Sequence, residues 1–279
     1  MNVGIVGVGL IGGSLALAIR KNRPEDRIFV CDISEDALCR ASLLGITDGV
    51  LDGKALGELD LLLISLYPAA CITWLRENSD RISRDAIVVD CAGIKREICA
   101  VGAELSEKHG FRFVGGHPMA GREVWGISAA SPVLFSGASM ILTPSRGVDI
   151  ETLAQLKGWF LGIGFGAVTL RTPEDHDRII AYTSQLAHIL SSAYIQSPTA
   201  REHRGLSAGS FRDMTRVAAI NSEMWSEIFL SNSDFLISEL DRLIGGLTAF
   251  RETIEAGNRA RLVEMLRDGA AKKAACDKL

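Results

Sequence analysis

Short runs of β-branched and aliphatic residues recur through roughly the first 170 positions, separated by longer stretches whose apolar residues fall three or four apart. The short runs read as strands and the longer stretches as helices. In order, the expected strands are Val3 to Gly7, Arg27 to Cys31, Leu61 to Ser65, Ala86 to Asp90, Arg112 to Val114, Ala138 to Thr143 and Ala167 to Leu170. Strands alternating with helices predict an α/β fold, a Rossmann-type doubly wound parallel sheet over residues 1–171. Beyond Thr172-Pro173 the periodicity is helical throughout, so residues 172–279 are expected to form an all-α domain. Thr172 suits an N-cap there and Pro173 a first helical turn. Between Asn221 and Glu255, Trp225, Ile228, Phe229, Phe235, Leu236, Leu240, Leu243, Ile244 and Leu247 recur at helical spacing. Helices this apolar in a small domain predict packing against a second copy, hence a homodimer through the helical half.

The first strand runs directly into Gly7-Val8-Gly9-Leu10-Ile11-Gly12 and a helix follows. In that setting Gly7 permits the tight turn, Gly9 lets the backbone approach a pyrophosphate, and Gly12 lets helix and strand pack closely, with Leu10 and Ile11 expected beside the cofactor and the helix beginning near Gly13. The second strand ends on Asp32, where a carboxylate binds both adenosine ribose hydroxyls and repels a 2′-phosphate. Ile33 and Ser34 supply no arginine for such a phosphate, so NAD is the expected cofactor. Ser65, at the end of the third strand, is expected beside it.

Composition narrows the partners. The 279 residues carry a formal net charge of −4 and a pI near 5.8, which advertises no basic face for nucleic acid or a membrane surface. Six cysteines lie scattered without a C-x-x-C pair, which fits a reducing compartment. No apolar run approaches the roughly 18 residues of a membrane span, and Met1 leads straight into a strand, so a cytoplasmic location is expected. The five histidines show no paired ligand spacing, and no metal is expected.

A second candidate centre follows the strand at Arg112. Gly115-Gly116-His117-Pro118-Met119-Ala120-Gly121 is expected beyond that strand's end, on the ligand side of an open sheet. A histidine there has a pKa near operating pH and can accept a proton as a neighbouring substrate is oxidised.

The run GGHPMAG, taken with the N-terminal turn, resembles the prephenate and arogenate dehydrogenases of tyrosine biosynthesis. The resemblance extends through Asp90-Cys91-Ala92-Gly93-Ile94-Lys95, His176-Asp177, Ser184-Gln185-Leu186-Ala187-His188, Phe211 to Ala218 and Met224-Trp225, nearly the whole chain. It implies oxidative decarboxylation of a cyclohexadienyl acid with NAD. His117 then corresponds to the proton acceptor on the ring hydroxyl, Arg216 to the anchor of a substrate carboxylate, and His188 to a second histidine near the substrate side chain. Gly93, Lys95, Glu123, Arg212 and Trp225 are expected around the substrate, with Glu123 pairing to Arg122, Arg212 or Arg216. The chain departs from the family's pattern at Gly93, where a serine hydroxyl is common, at Gln185 and Ala187, which replace a histidine and a proline, and at Arg122. Prephenate is the expected substrate. Arogenate is the nearest variant, and a non-catalytic regulator binding NAD or tyrosine is the alternative from another class.

Overall fold

The computed structural model describes residues 1–277. Eight strands form one sheet: β1 (Asn2–Val6), β2 (Arg27–Cys31), β3 (Gly49–Val50), β4 (Leu61–Ile64), β5 (Ile87–Asp90), β6 (Arg112–Pro118), β7 (Ser139–Pro144) and β8 (Ala167–Leu170). Their order across the sheet is β3-β2-β1-β4-β5-β6-β7-β8. Every neighbouring pair is parallel except β6 with β7. The chain leaves β1 in one direction to build β2 and β3, then returns to set β4 on the other side of β1. That reversal opens a crevice at the carboxyl ends of β1 and β4, the place where open α/β sheets bind ligands.

The central strands are apolar except at their ends, Asn2 in β1 and Asp90 in β5, because both faces are covered. Val3, Ile5, Leu61, Leu63, Ile87 and Val89 enter one buried cluster, whereas Val6, Leu62, Ile64 and Val88 enter the other. This is the period-two alternation of a pleated strand, with no face left for solvent. The two-residue β3 lies at the sheet edge and was not expected. Its one apolar side chain, Val50, is exposed, so no apolar run marks it.

β6 corrects one expectation. It does not end at Val114 but continues to Pro118, so His117 lies in a strand and not in a loop. The strand changes partner along its length: Arg112 to Val114 pair in parallel with β5, and Val114 to Pro118 pair antiparallel with β7. Glycine is required for that crossing, since a Cβ on Gly116 would sit 2.4 Å from the Asp90 carbonyl oxygen. Pro118 occupies the last strand position, where the loss of an N–H costs least.

After Leu170 the described chain is helical. Thr172 caps the helix Pro173–Ile180 by accepting the Asp175 N–H at 3.1 Å, with Pro173 in the first turn. One π turn, Ala181–Gln185, leads into the helix Leu186–Tyr194, and the helices Gly209–Thr215 and Ser222–Ser231 follow. The helical run expected from Asn221 to Glu255 breaks at Asn232. That buried amide turns inward and donates to the Asp177 carbonyl and to Gln185 Oε1, both at 2.9 Å. The described chain separates into two compact units at this point, one of residues 1–232 and one beginning at Ser233. The second unit consists of the helices Ser233–Glu255 and Arg259–Cys276, turned at Gly257 and capped by Asn258. Among the described residues no helix is long and apolar enough to cross a membrane.

Candidate active site

A cleft of about 710 Å³ begins at the crevice and runs into the helical part of the first unit. Gly9, Leu10 and Ile11 line its near end, beside Ser65 and Gly93. His117 and Glu123 lie along it, and His188, Arg216 and Trp225 line the far end.

The near end suits a dinucleotide. Gly7 holds φ +82°, and a Cβ on Gly12 would lie 1.9 Å from the Gly7 carbonyl oxygen, so the turn closes only with glycine at both positions. These two glycines shape the turn from behind and do not line the cleft. Gly9, the N-cap of the helix Leu10–Asn22, carries no capping side chain, and open space surrounds the place its Cβ would take. The free N–H groups of the first turn therefore face a cradle of the shape and polarity a pyrophosphate needs. The Asp32 carboxylate is held by the Val8 and Ser34 N–H groups, each at 2.8 Å, and lines an adjoining pocket of about 280 Å³. Arg40 also lines this pocket. It is tied to Asp36 at 2.7 Å and to Ser128 Oγ at 3.2 Å. No arginine was expected at this end, because Arg40 sits on the following helix and not immediately after Asp32.

At the centre stand three linked groups. His117 Nδ1 lies 2.7 Å from His176 Nε2, and His176 Nδ1 lies 2.7 Å from Asp177 Oδ1. Asp177 also accepts the backbone N–H groups of Lys95 at 2.8 Å and Arg96 at 2.9 Å, together with Arg96 Nε at 3.4 Å. Although burial opposes its charge, these donors hold the Asp177 carboxyl below the usual range, so it is ionised. Burial pushes the His117 pKa well below the ordinary value of 6.5, and His176 and the Lys95 cation push it further. His176 is likewise lowered, chiefly by burial and against the pull of Asp177. Both imidazoles are neutral at pH 7.

At the far end the Arg216 guanidinium pairs with the Glu123 carboxylate, one of the three partners the sequence left open. His188 stacks on Trp225 with ring centroids 3.8 Å apart and directs Nδ1 to the Ser184 carbonyl at 2.9 Å, which leaves Nε2 for the cleft. Burial lowers the His188 pKa.

Two expected substrate contacts are not found in the cleft. Lys95 is fully buried and pairs with Asp90, which also accepts the Ala92 and Gly116 N–H groups at 3.0 and 3.2 Å. A cation placed so close after a strand end turns inward because a buried carboxylate awaits it there. Arg212 is exposed and does not line the cleft. Conversely, the sequence marks His176 only as part of the His176-Asp177 motif and assigns it no role. Nothing local signals that it meets a residue 59 positions earlier. Among the described residues no cluster of three or more potential metal ligands occurs.

Models of two families match in chain order, one described as prephenate dehydrogenase, nucleotide-binding domain, over residues 15–169, and one as prephenate dehydrogenase, dimerization domain, over residues 172–268. The chain is 32% identical over 259 residues to the prephenate dehydrogenase of Bacillus subtilis, covering 90% of this chain and 69% of that protein. This chain belongs to the prephenate dehydrogenase family. Among solved structures it is similar to the Aquifex aeolicus prephenate dehydrogenase in complex with hydroxyphenyl propionate and NAD+, with a TM-score of 0.81 at 28% identity, covering 99% of this chain and 98% of that one. It is equally similar to Synechocystis arogenate dehydrogenase, with a TM-score of 0.83 at 27% identity and 99% of both chains covered. Gly93 lines the cleft, and Ile228 Cδ1 is the nearest atom to its Cβ position, at 3.6 Å. Space for a serine is present although the hydroxyl is not.

Proposed function

We propose that this chain catalyses the NAD-dependent oxidative decarboxylation of prephenate to 4-hydroxyphenylpyruvate. The observation that carries the reading is a neutral His117 in the cleft, with the dinucleotide cradle on one side and Arg216 on the other. His117 Nε2 accepts the proton of the ring hydroxyl, which builds carbonyl character at that carbon and helps expel its hydride. Bound NAD supplies the hydride acceptor. The ring carboxylate leaves as carbon dioxide, its bonding electrons complete the aromatic ring, and His117 returns the proton to the phenolic oxygen. Arg216 meets Glu123 through Nη1 and turns its remaining N–H donors to a substrate carboxylate, a task suited to a planar donor fork. His188 and Trp225 close the end that receives the side chain. Gly9, Leu10, Ile11, Asp32 and Ser65 hold the cofactor.

The cleft's polarity favours prephenate over arogenate. Among the described residues Glu123 is the sole acidic side chain lining it, and Arg216 already neutralises that charge. An amino group on the substrate side chain would need a free carboxylate. We further propose that residues 1–171 act as the dinucleotide-binding domain and residues 172–279 as the substrate and dimerisation domain of a homodimer. The test is steady-state kinetics with prephenate and arogenate, each with NAD and NADP. Prephenate with NAD should give the highest kcat/KM. Tight NAD binding without turnover of either acid would refute the enzyme and favour a regulator. His117→Asn should keep NAD affinity and lower kcat by about 10²- to 10⁴-fold, the usual loss of a general base.

A further inference from the structure

The three groups at the centre of the cleft form a directed chain. Asp177 is ionised and already takes three N–H donors, so it can only accept, and the hydrogen between it and His176 must sit on His176 Nδ1. A neutral imidazole with Nδ1–H has a bare Nε2. The contact between that nitrogen and His117 Nδ1 is then made by a hydrogen on His117 Nδ1. The other nitrogen of His117 is left bare. Each step follows from the previous one, and the only fixed point is the buried carboxylate.

We infer that His176 and Asp177 are positioning residues that lock His117 in the tautomer whose Nε2 faces substrate as a base. The inference rests on the proposed oxidation of a ring hydroxyl by His117. Neither residue lines the cleft, so the pair acts through His117 alone. When Nε2 takes the proton, the positive charge on His117 is met by the lone pair of His176, itself backed by Asp177, so charge develops toward an acceptor already in place. The same logic orients the histidine of Ser-His-Asp hydrolases, where the carboxylate sets the tautomer without taking a proton. Here a second imidazole is interposed. Other charges face the chain: Lys95 with Asp90 beneath it, Arg96 on Asp177, and Glu123 with Arg216 along the cleft. None of these three cations can accept a hydrogen, so none replaces Asp177 as the acceptor for His176 Nδ1.

The test pairs a tautomer measurement with kinetics. Imidazole ¹⁵N spectra of the NAD-loaded protein at neutral pH should show His117 protonated at Nδ1 and bare at Nε2. In Asp177→Asn the amide can donate to His176 Nδ1, which reverses both rings and places hydrogen on His117 Nε2. That variant should lose kcat by about 10²- to 10⁴-fold, as for outright loss of the base, with NAD affinity retained. Because Asp177 also ties down the Lys95 and Arg96 backbone, His176→Leu and His176→Gln serve as the variants that keep the carboxylate. Leucine removes the acceptor and should lower kcat by about ten- to a hundredfold, the worth of one charge-assisted hydrogen bond, with little change in KM. Glutamine can still accept from His117 Nδ1 and should recover much of that loss. A wild-type His117 carrying its hydrogen on Nε2 overturns the inference, as does near-wild-type kcat in His176→Leu. If wild type turns over neither acid, the proposed oxidation fails; the ¹⁵N result still decides the tautomer.

Discussion

Lys95→Met should damage stability and not substrate affinity. The lysine is fully buried and its ammonium pairs with the buried Asp90 carboxylate. Burial alone would lower the lysine pKa, but Asp90 reverses this and raises it above 10.5, so the ammonium stays charged throughout the working range. Methionine nearly matches the stem in volume, so little cavity forms. What remains is a buried carboxylate with two backbone N–H donors and no counter-charge. Breaking one side of such a pair costs about 3–5 kcal/mol. For a unit of this size each kcal/mol moves Tm by about 2–4 °C, so a fall of roughly 6–20 °C is expected. The assay is thermal unfolding at pH 7, with Lys95→Met/Asp90→Asn as the companion. Removing both charges should recover a large part of the loss, because the penalty lies in the unpaired charge and not in the missing contact. An unchanged Tm with a strongly raised KM for prephenate would refute this and return Lys95 to the substrate.

Four further outcomes follow from the structure. His117 must be neutral to act as a base and its pKa is depressed, so the acid limb of the kcat/KM profile should lie well below pH 6.5; a limb at or above that value refutes the role. Unfolded histidine binds protons that buried His117 and His176 refuse, so stability should fall as pH drops below about 6.5 and be fully present above it, measurable by urea unfolding across pH. Gly93→Ser should fold with unchanged Tm, since the nearest atom to the added Cβ is 3.6 Å away, and should raise kcat/KM by restoring a hydroxyl beside the ring oxygen; a lowered value would show the space is used by substrate itself. Gly12→Ala drives a Cβ to 1.9 Å from the Gly7 carbonyl, and forced repacking of this kind should weaken NAD by about tenfold or more in a calorimetric titration, with wild-type affinity as the refuting result.

The local code reached far in this chain. A strand entering Gly7 to Gly12 and an acid at the end of the next strand state a dinucleotide site, because both demands act on a handful of adjacent residues: close backbone approach and a carboxylate at ribose distance. Apolar runs marked the central strands since residues buried on both faces admit nothing else, and Thr172-Pro173 marked the first helix after the sheet. Legibility ended where partners come from distant parts of the chain. His117 was read as a loop residue because Gly-Gly-His-Pro has no strand pattern; only β7, arriving antiparallel, extends the strand through it. Lys95 was read toward the substrate and turned inward to Asp90, a choice made by burial and not by spacing. The link from Asp177 through His176 to His117 joins a helix start to a strand end, and hydrogen bonds across that separation leave no periodicity behind. Sequence alone determined the fold class and the cofactor turn, and it brought His117 forward as the candidate base. Only tertiary structure bears on which nitrogen of His117 is free, because a tautomer depends on what sits at the other side of the ring.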